Sequence, residues 1–217
     1  MNIAVLCSGS GTNLQAIIDQ VKSGYIPARI AVVVSDNREA YALGRAKAAG
    51  IEAIFVDPDA YKSREDFDKA IVKELKDRDV GLVALAGFMR ILSPYFIKEY
   101  RHKILNIHPA LLPAFKGVHG IKDALTYGVK VTGPTVHFVE EELDSGAIIL
   151  QSPIEIGRED TEESLLERVH AEEHKIYPKA IKLFVEGKLK LEGRKVHIKD
   201  EDQDRTDSGE GDTGFER

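Results

Sequence analysis

This 217-residue chain has one cysteine, Cys7, so it can form no internal disulfide; with no ligand cluster around that thiol, it also lacks the signature of structural zinc. No apolar run approaches the ~20 residues needed to span a bilayer. No basic segment or small-residue cleavage site separates Met1 from the apolar Asn2-Ile3-Ala4-Val5-Leu6. The expectation is therefore a cytoplasmic protein without a secretory leader and without a membrane partner. Nor is there a surplus of positive charge. From Asp200 to Arg217 eight acidic side chains face two arginines, which accounts for the whole net charge of −6 and leaves 28 residues of each sign in 1–199. A balanced body with no basic stripe excludes the usual footprint of nucleic-acid binding. Residues 196–217, rich in Asp, Glu, Gly, Ser and Thr, are expected to form a flexible, solubilising acidic tail.

What is present is an alternation of short apolar runs and amphipathic segments. Strands are expected over 2–7, 30–34, 54–56, 82–85 and 104–107. Helices are expected from Thr12 to about Val21, Arg38 to about Ala49, Arg64 to about Lys76, Ser93 to Tyr100, and from Thr161 to about Glu186 despite Pro178. Such alternation predicts an α/β fold, Rossmann-like, with a mostly parallel twisted sheet and flanking helices. The pattern then changes. His108 to about Lys130, with its prolines and glycines, reads as a long functional loop. Thr135–Val139 and Ala147–Ile156, joined by the acidic turn Glu140-Glu141-Glu142-Leu143-Asp144-Ser145-Gly146, read as an antiparallel C-terminal hairpin that extends the sheet. A single domain, 1–195, is expected, with an N-terminal phosphate-binding half (about 1–100) and a catalytic half (about 101–195).

Asn106-Ile107-His108-Pro109 follows the apolar Lys103-Ile104-Leu105. On a strand, side chains two apart share a face, so Asn106 and His108 project together from its carboxyl end, and Pro109 stops the ladder. An amide donor beside a titratable imidazole suits stabilisation of an oxyanion. A carboxylate nearby, such as Asp144, would favour the imidazolium. At the other end, Gly9-Ser10-Gly11-Thr12-Asn13 lies between the first strand and first helix, where glycines and free N–H groups cradle an anion. A dinucleotide fingerprint fails at Leu14, despite the tempting acid Asp36, and no Gly-Lys-Ser/Thr follows for a Walker loop. A compact cradle for one phosphate remains. Cys7 is expected to be a buried, inert thiol, and His137 and Thr135 to brace the Asp144 turn.

Together, Gly9–Asn13, Asn106-Ile107-His108-Pro109-Ala110-Leu111-Leu112-Pro113 and Leu143-Asp144-Ser145-Gly146 resemble the phosphoribosylglycinamide formyltransferases, a family of folate-dependent formyltransferases in purine biosynthesis. The resemblance extends over residues 1 to about 190 and includes Ala86–Leu92 and Glu173–Pro178. It implies transfer of the formyl group of 10-formyltetrahydrofolate, as co-substrate and without a metal, to the amine of phosphoribosylglycinamide. Asn106 and protonated His108 would stabilise the tetrahedral oxyanion, and Asp144 would raise the His108 pKa and help order a water for proton transfer. By the same resemblance, Gly11, Thr12, Asn13, His170, Ala171, Glu172 and Glu173 would hold the phosphoribosyl substrate. Arg64, Met89, Arg90, Ile91, Leu92, Asn106, Glu140, Glu141, Glu142, Leu143 and Asp144 would hold the folate. The loop from Ala110 to Lys130, with Lys116, Gly117 and His119, would be a lid.

Rival readings are another 10-formyltetrahydrofolate enzyme, transferase or hydrolase, and a non-catalytic nucleotide-binding module. The first would bring a basic C-terminal or an N-terminal regulatory domain. The second predicts nucleotide affinity with no role for His108. Monomer and homodimer are both open.

Overall fold

The apolar runs pair as the parallel centre of a sheet in the computed structural model, which describes residues 1–199. The strands are β1 (Asn2–Leu6), β2 (Arg29–Ser35), β3 (Ala53–Phe55), β4 (Val80–Leu85) and β5 (Ile104–His108). Beyond β5 the sheet turns antiparallel through β7 (Thr135–Phe138) and β8 (Ile148–Gln151). Among the described residues the order is β10-β11-β8-β7-β5-β4-β1-β2-β3, with β10 at Leu189–Glu192 and β11 at Lys195–Ile198. A two-stranded sheet, β6 (Val131–Thr132) with β9 (Ile154–Glu155), stands apart.

Alternation along the central strands explains the two faces. Ile3 and Val5 enter one apolar cluster with Leu14, Ile17 and Ile18 of α1 (Thr12–Lys22), Ala42 and Ala46 of α2 (Tyr41–Ala48), and Tyr177 and Ile181 of α6 (Glu162–Val185). Ala4 and Leu6 enter the other, with Phe67, Ile71 and Leu75 of α3 (Arg64–Lys76) and Phe96 of α4 (Pro94–Glu99). Each large aliphatic side chain buried this way contributes about 1.5–3 kcal/mol. A sheet covered on both faces reads as continuous apolar runs, which is why these strands were visible in the sequence. Strand order reverses between β1 and β4, the switch point at whose carboxyl edge open α/β sheets form their ligand crevice; the loops after the two strands stay joined there by Ser8 N–H donating to the Gly87 carbonyl at 2.9 Å.

Tyr177 ties this core to that crevice. Its hydroxyl, fully buried, lies 2.8 Å from the Leu85 carbonyl and 3.0 Å from the Leu105 carbonyl, at the ends of β4 and β5. Tyr177→Phe leaves both carbonyls without that donor and is expected to cost about 1–2 kcal/mol. A lower urea midpoint at unchanged m-value checks this.

Four expectations need correction. The stretch from His108 to Lys130 is not all loop: it contains α5 (Gly120–Tyr127), which buries Ile121 and Ala124 and ends at the left-handed Gly128. The run Ala147–Ile156 is not one strand, because Pro153 cannot donate to a ladder and the chain passes there from β8 to β9. The second helix begins at Tyr41, not Arg38. Strand structure also continues past 195, because β10 and β11 form an antiparallel hairpin through Gly193 (φ 59°), so residues 196–198 belong to the sheet rather than the tail. The expectation of flexibility from Asp200 onward lies outside the described residues. The two halves drawn at residue 100 share one continuous sheet.

Candidate active site

Leu105 and Ile107 of β5 point into the α1/α6 face, so Asn106 and His108 point to the opposite face at the carboxyl end of the strand. Antiparallel pairing sets His137 across from Asn106 and Thr135 across from His108. Asp144 arrives from the β7–β8 connection with a left-handed backbone (φ 48°). Gly146, two residues on, is required there: a Cβ would lie 1.8 Å from the Phe138 carbonyl oxygen. The Asp144 carboxylate lies 3.5 Å from His108 Nδ1 and 3.7 Å from His137 Nε2, with all three side chains buried. His108 Nε2 stands 2.8 Å from the Phe115 carbonyl. Both ring nitrogens of His108 thus face oxygens that only accept, and only the imidazolium can donate to both.

The loop after β5 is folded over this group. Gly117 N–H donates to Asp144 Oδ2 at 2.8 Å, and Lys116 Nζ pairs with Glu142 Oε1 at 3.2 Å. Phe115, which carries the carbonyl on His108, has φ 51°, a conformation an L residue adopts at a cost. Thr135 fixes the base of the loop: its hydroxyl donates to the Ala110 carbonyl at 2.7 Å and accepts from Leu112 N–H and Gln151 Nε2, each at 3.0 Å. Thr135 therefore braces the loop after β5 rather than the Asp144 turn, which His137 approaches instead, and its alternation with His137 on one face is the signal that pointed to it.

Beside Asn106, His137 and Asp144 opens a cleft walled by Leu85, Phe88, Leu92, Ile97 and Val139, with Arg90, Ile91, Glu140, Glu141 and Leu143 at its rim. Ile97 and Val139 carried no signal beyond their apolar character, and Phe88 only its place in the Ala86–Leu92 stretch. Met89 and Ile91 are largely exposed and Leu92 is buried. Arg90 is held by Asp36 (Nε to Oδ2, 2.9 Å) and stacks on the Phe67 ring. Arg64, the first residue of α3, is exposed and does not line the cleft, and Glu142 faces Lys116 instead. A larger depression of about 720 Å³ adjoins the cleft across Val139–Glu141 and is lined by Tyr95, Lys98, Arg101 and Arg194. It touches none of Asn106, His108 or Asp144, so size does not mark the chemistry.

On the other side, Gly11 precedes α1 with φ 71°, and a Cβ there would lie 2.7 Å from Ala42 Cβ. No side chain caps α1, so its first N–H groups remain available to an anion. Asn13 Nδ2 donates to Glu173 Oε2 at 2.8 Å across the α1–α6 seam. Burial pushes the Glu173 carboxyl up to about 7, against the lowering effect of Asn13. Asn13 Oδ1 and His174 Nε2 are buried without a partner on the same seam, as expected where a polar ligand completes the bonding. His170 stacks on His174, and burial lowers both imidazoles. Ala171 is exposed, and Glu172 turns to Ser152 and Lys175, so these two stand apart from the Asn13–Glu173 contact.

The two sides are linked by Ser8, whose hydroxyl donates to Asp36 Oδ1 at 2.6 Å and accepts from Met89 N–H at 2.9 Å. Asp36 is therefore a strut between loops; a ribose role was its only sequence signal. Burial, reinforced by Asp36, pushes the Cys7 thiol up to about 12 and keeps it protonated. No three His, Cys, Asp or Glu side chains converge among the described residues in a way that could hold a metal ion, and no helix among them is long and apolar enough to cross a membrane.

Known proteins resemble this chain in sequence and in fold. The formyl transferase family profile matches residues 1–181. Phosphoribosylglycinamide formyltransferase of Escherichia coli is 44% identical over 191 residues, 88% of this chain and 90% of that protein. The human trifunctional purine biosynthetic protein adenosine-3 is 45% identical over 201 residues, 92% of this chain; the chain spans only about a fifth (20%) of that relative's length. The crystal structure of glycinamide ribonucleotide transformylase 1 from Symbiobacterium toebii superposes with a TM-score of 0.91 at 52% identity, covering 92% of this chain and 94% of that one. On sequence and on structure alike, the chain belongs to the formyl transferase family.

Proposed function

We propose that this chain transfers the formyl group of 10-formyltetrahydrofolate to the amine of phosphoribosylglycinamide, giving formylglycinamide ribonucleotide and tetrahydrofolate for purine biosynthesis. The observation that carries the reading is the convergence of Asn106, His108 and Asp144 between an apolar cleft and an open helix N-terminus. The cleft takes the flat pterin of the donor, with Leu92 and Val139 on its walls and the 140–144 backbone at its end. The acceptor's phosphate sits on the free N–H groups of Gly11, Thr12 and Asn13, and Glu173 meets a ribose hydroxyl. Two substrates held this way bring amine and formyl carbon together without a diffusional encounter.

As the amine attacks, the new C–N bond forms and the carbonyl electrons move to oxygen. Asn106 Nδ2–H and a His108 N–H donate to that oxyanion. In the present conformation the Nε2–H is given to Phe115, so the loop must withdraw this carbonyl before that proton can face substrate. Asp144 neutralises the imidazolium. Collapse of the intermediate expels the folate nitrogen, which takes up the proton that the attacking amine gives up.

The experiment is a steady-state assay with phosphoribosylglycinamide and, separately, the same acceptor lacking its phosphate. The cradle predicts a loss of about 10²-fold or more in kcat/KM for the dephosphorylated acceptor. Equal use of the two would sink the phosphate assignment.

A further inference from the structure

His137 is buried beside Asn106 on the wall of the cleft proposed for the donor, and the mechanism above gives it no part. Its Nδ1 lies 2.7 Å from the Phe138 carbonyl, which can only accept, so Nδ1 carries a hydrogen. In the neutral ring Nε2 then has only its lone pair, and Asn106 Nδ2 lies 3.2 Å from it. That contact is a hydrogen bond only if the amide nitrogen, not the amide oxygen, faces His137. The tautomer thus fixes which way round the Asn106 amide sits. Asn106 Nδ2 has two hydrogens, and one remains for a substrate oxygen.

We infer that neutral His137 is a positioning residue for the reaction: by accepting one Asn106 amide hydrogen it presents the other to the oxyanion and keeps the amide carbonyl away from it. The titratable groups that act on His137 are Asp144, 3.7 Å from Nε2, and His108. Burial outweighs the attraction of Asp144 and holds the imidazole below its ordinary value, in the neutral form this geometry needs. A ring protonated at Nε2 would set donor against donor, and the amide would have to turn over.

The inference rests on the oxyanion role of Asn106, and the test separates the two. In the full-length protein, H137L should lower kcat about tenfold to hundredfold with both KM values within about threefold. N106A should lower kcat at least as much, and the double variant should be no slower than N106A alone, because the two residues act as one unit. H137Q, whose Oε1 can accept in place of Nε2, should recover most of the rate, whereas the shorter side chain of H137N should not. Should H137L fail to fold, the H137Q and H137N pair decides alone. A full rate in H137L beside a slow N106A, losses that multiply in the double variant, or equal rates for H137Q and H137N would each overturn the role of His137. A full rate in N106A would instead overturn the reading of Asn106 itself.

Discussion

Replacing His108 by alanine is expected to lower kcat by about 10³-fold, or about 4 kcal/mol of transition-state stabilisation, while both KM values change by less than about threefold. The size follows from what the imidazole supplies. In the proposed mechanism it is the charged donor of the pair, and it is buried together with Asp144. Removing it leaves a developing oxyanion with Asn106 as its remaining donor, and leaves Asp144 with its negative charge on the same wall. The KM expectation follows from separation in space. The helix N-terminus with Glu173 lies on the α1–α6 seam, and the apolar walls of the cleft come from β4, α4 and the strand end at Val139. None of these contacts is made by His108. Steady-state kinetics decide the matter, and a kcat within tenfold of wild type would rule out His108 as the principal donor.

Glu173→Gln is expected to stabilise the protein above pH 7 by about 3 kcal/mol and to change little at pH 4.5. The Glu173 carboxyl titrates near 4.5 in the unfolded chain and at about 7 when folded, because burial penalises its charge. Between those values the folded protein holds a proton that the unfolded chain has lost. Stability contributed by the protonated group is therefore full below pH 4.5, falls as pH rises, and is gone above about 7, an interval equivalent to about 3 kcal/mol. Glutamine is neutral throughout and keeps an oxygen for Asn13 Nδ2. Melting curves between pH 4.5 and 8.5 should show the wild type losing stability relative to the variant as pH rises. Parallel curves would mean that Glu173 is already ionised at pH 5. The same substitution is expected to weaken acceptor binding, since Glu173 is the group proposed to meet a ribose hydroxyl.

The central parallel strands and the position of Asn106 and His108 were legible because they depend on local alternation: two-sided burial writes itself as apolar runs, and period two sets which side chains share a face. Asp144 was different. Its approach to His108 depends on the β7–β8 pairing, on a left-handed backbone at residue 144 and on glycine at 146, none of which has a local hydrophobic signature. Only the resemblance placed it. The β10–β11 hairpin was missed because it is an exposed edge with polar residues on alternate positions, although Leu189-Lys190-Leu191-Glu192 and the Gly193 turn do carry a hairpin pattern. Helix α5 was hidden by glycines at both ends and a preceding proline-rich stretch. Arg64 and Glu172 had no local signal either. Residue type and resemblance alone nominate them; Arg64 is exposed outside the cleft, and Glu172 accepts from Ser152.

The most direct measurement follows the formyl group itself. With donor labelled on the formyl carbon, phosphoribosylglycinamide and the purified full chain, label should appear on the acceptor amine in equal amount with released tetrahydrofolate, and release should depend on the acceptor. Label recovered as free formate, or tetrahydrofolate formed at the same rate without acceptor, would contradict direct transfer and point to a hydrolase.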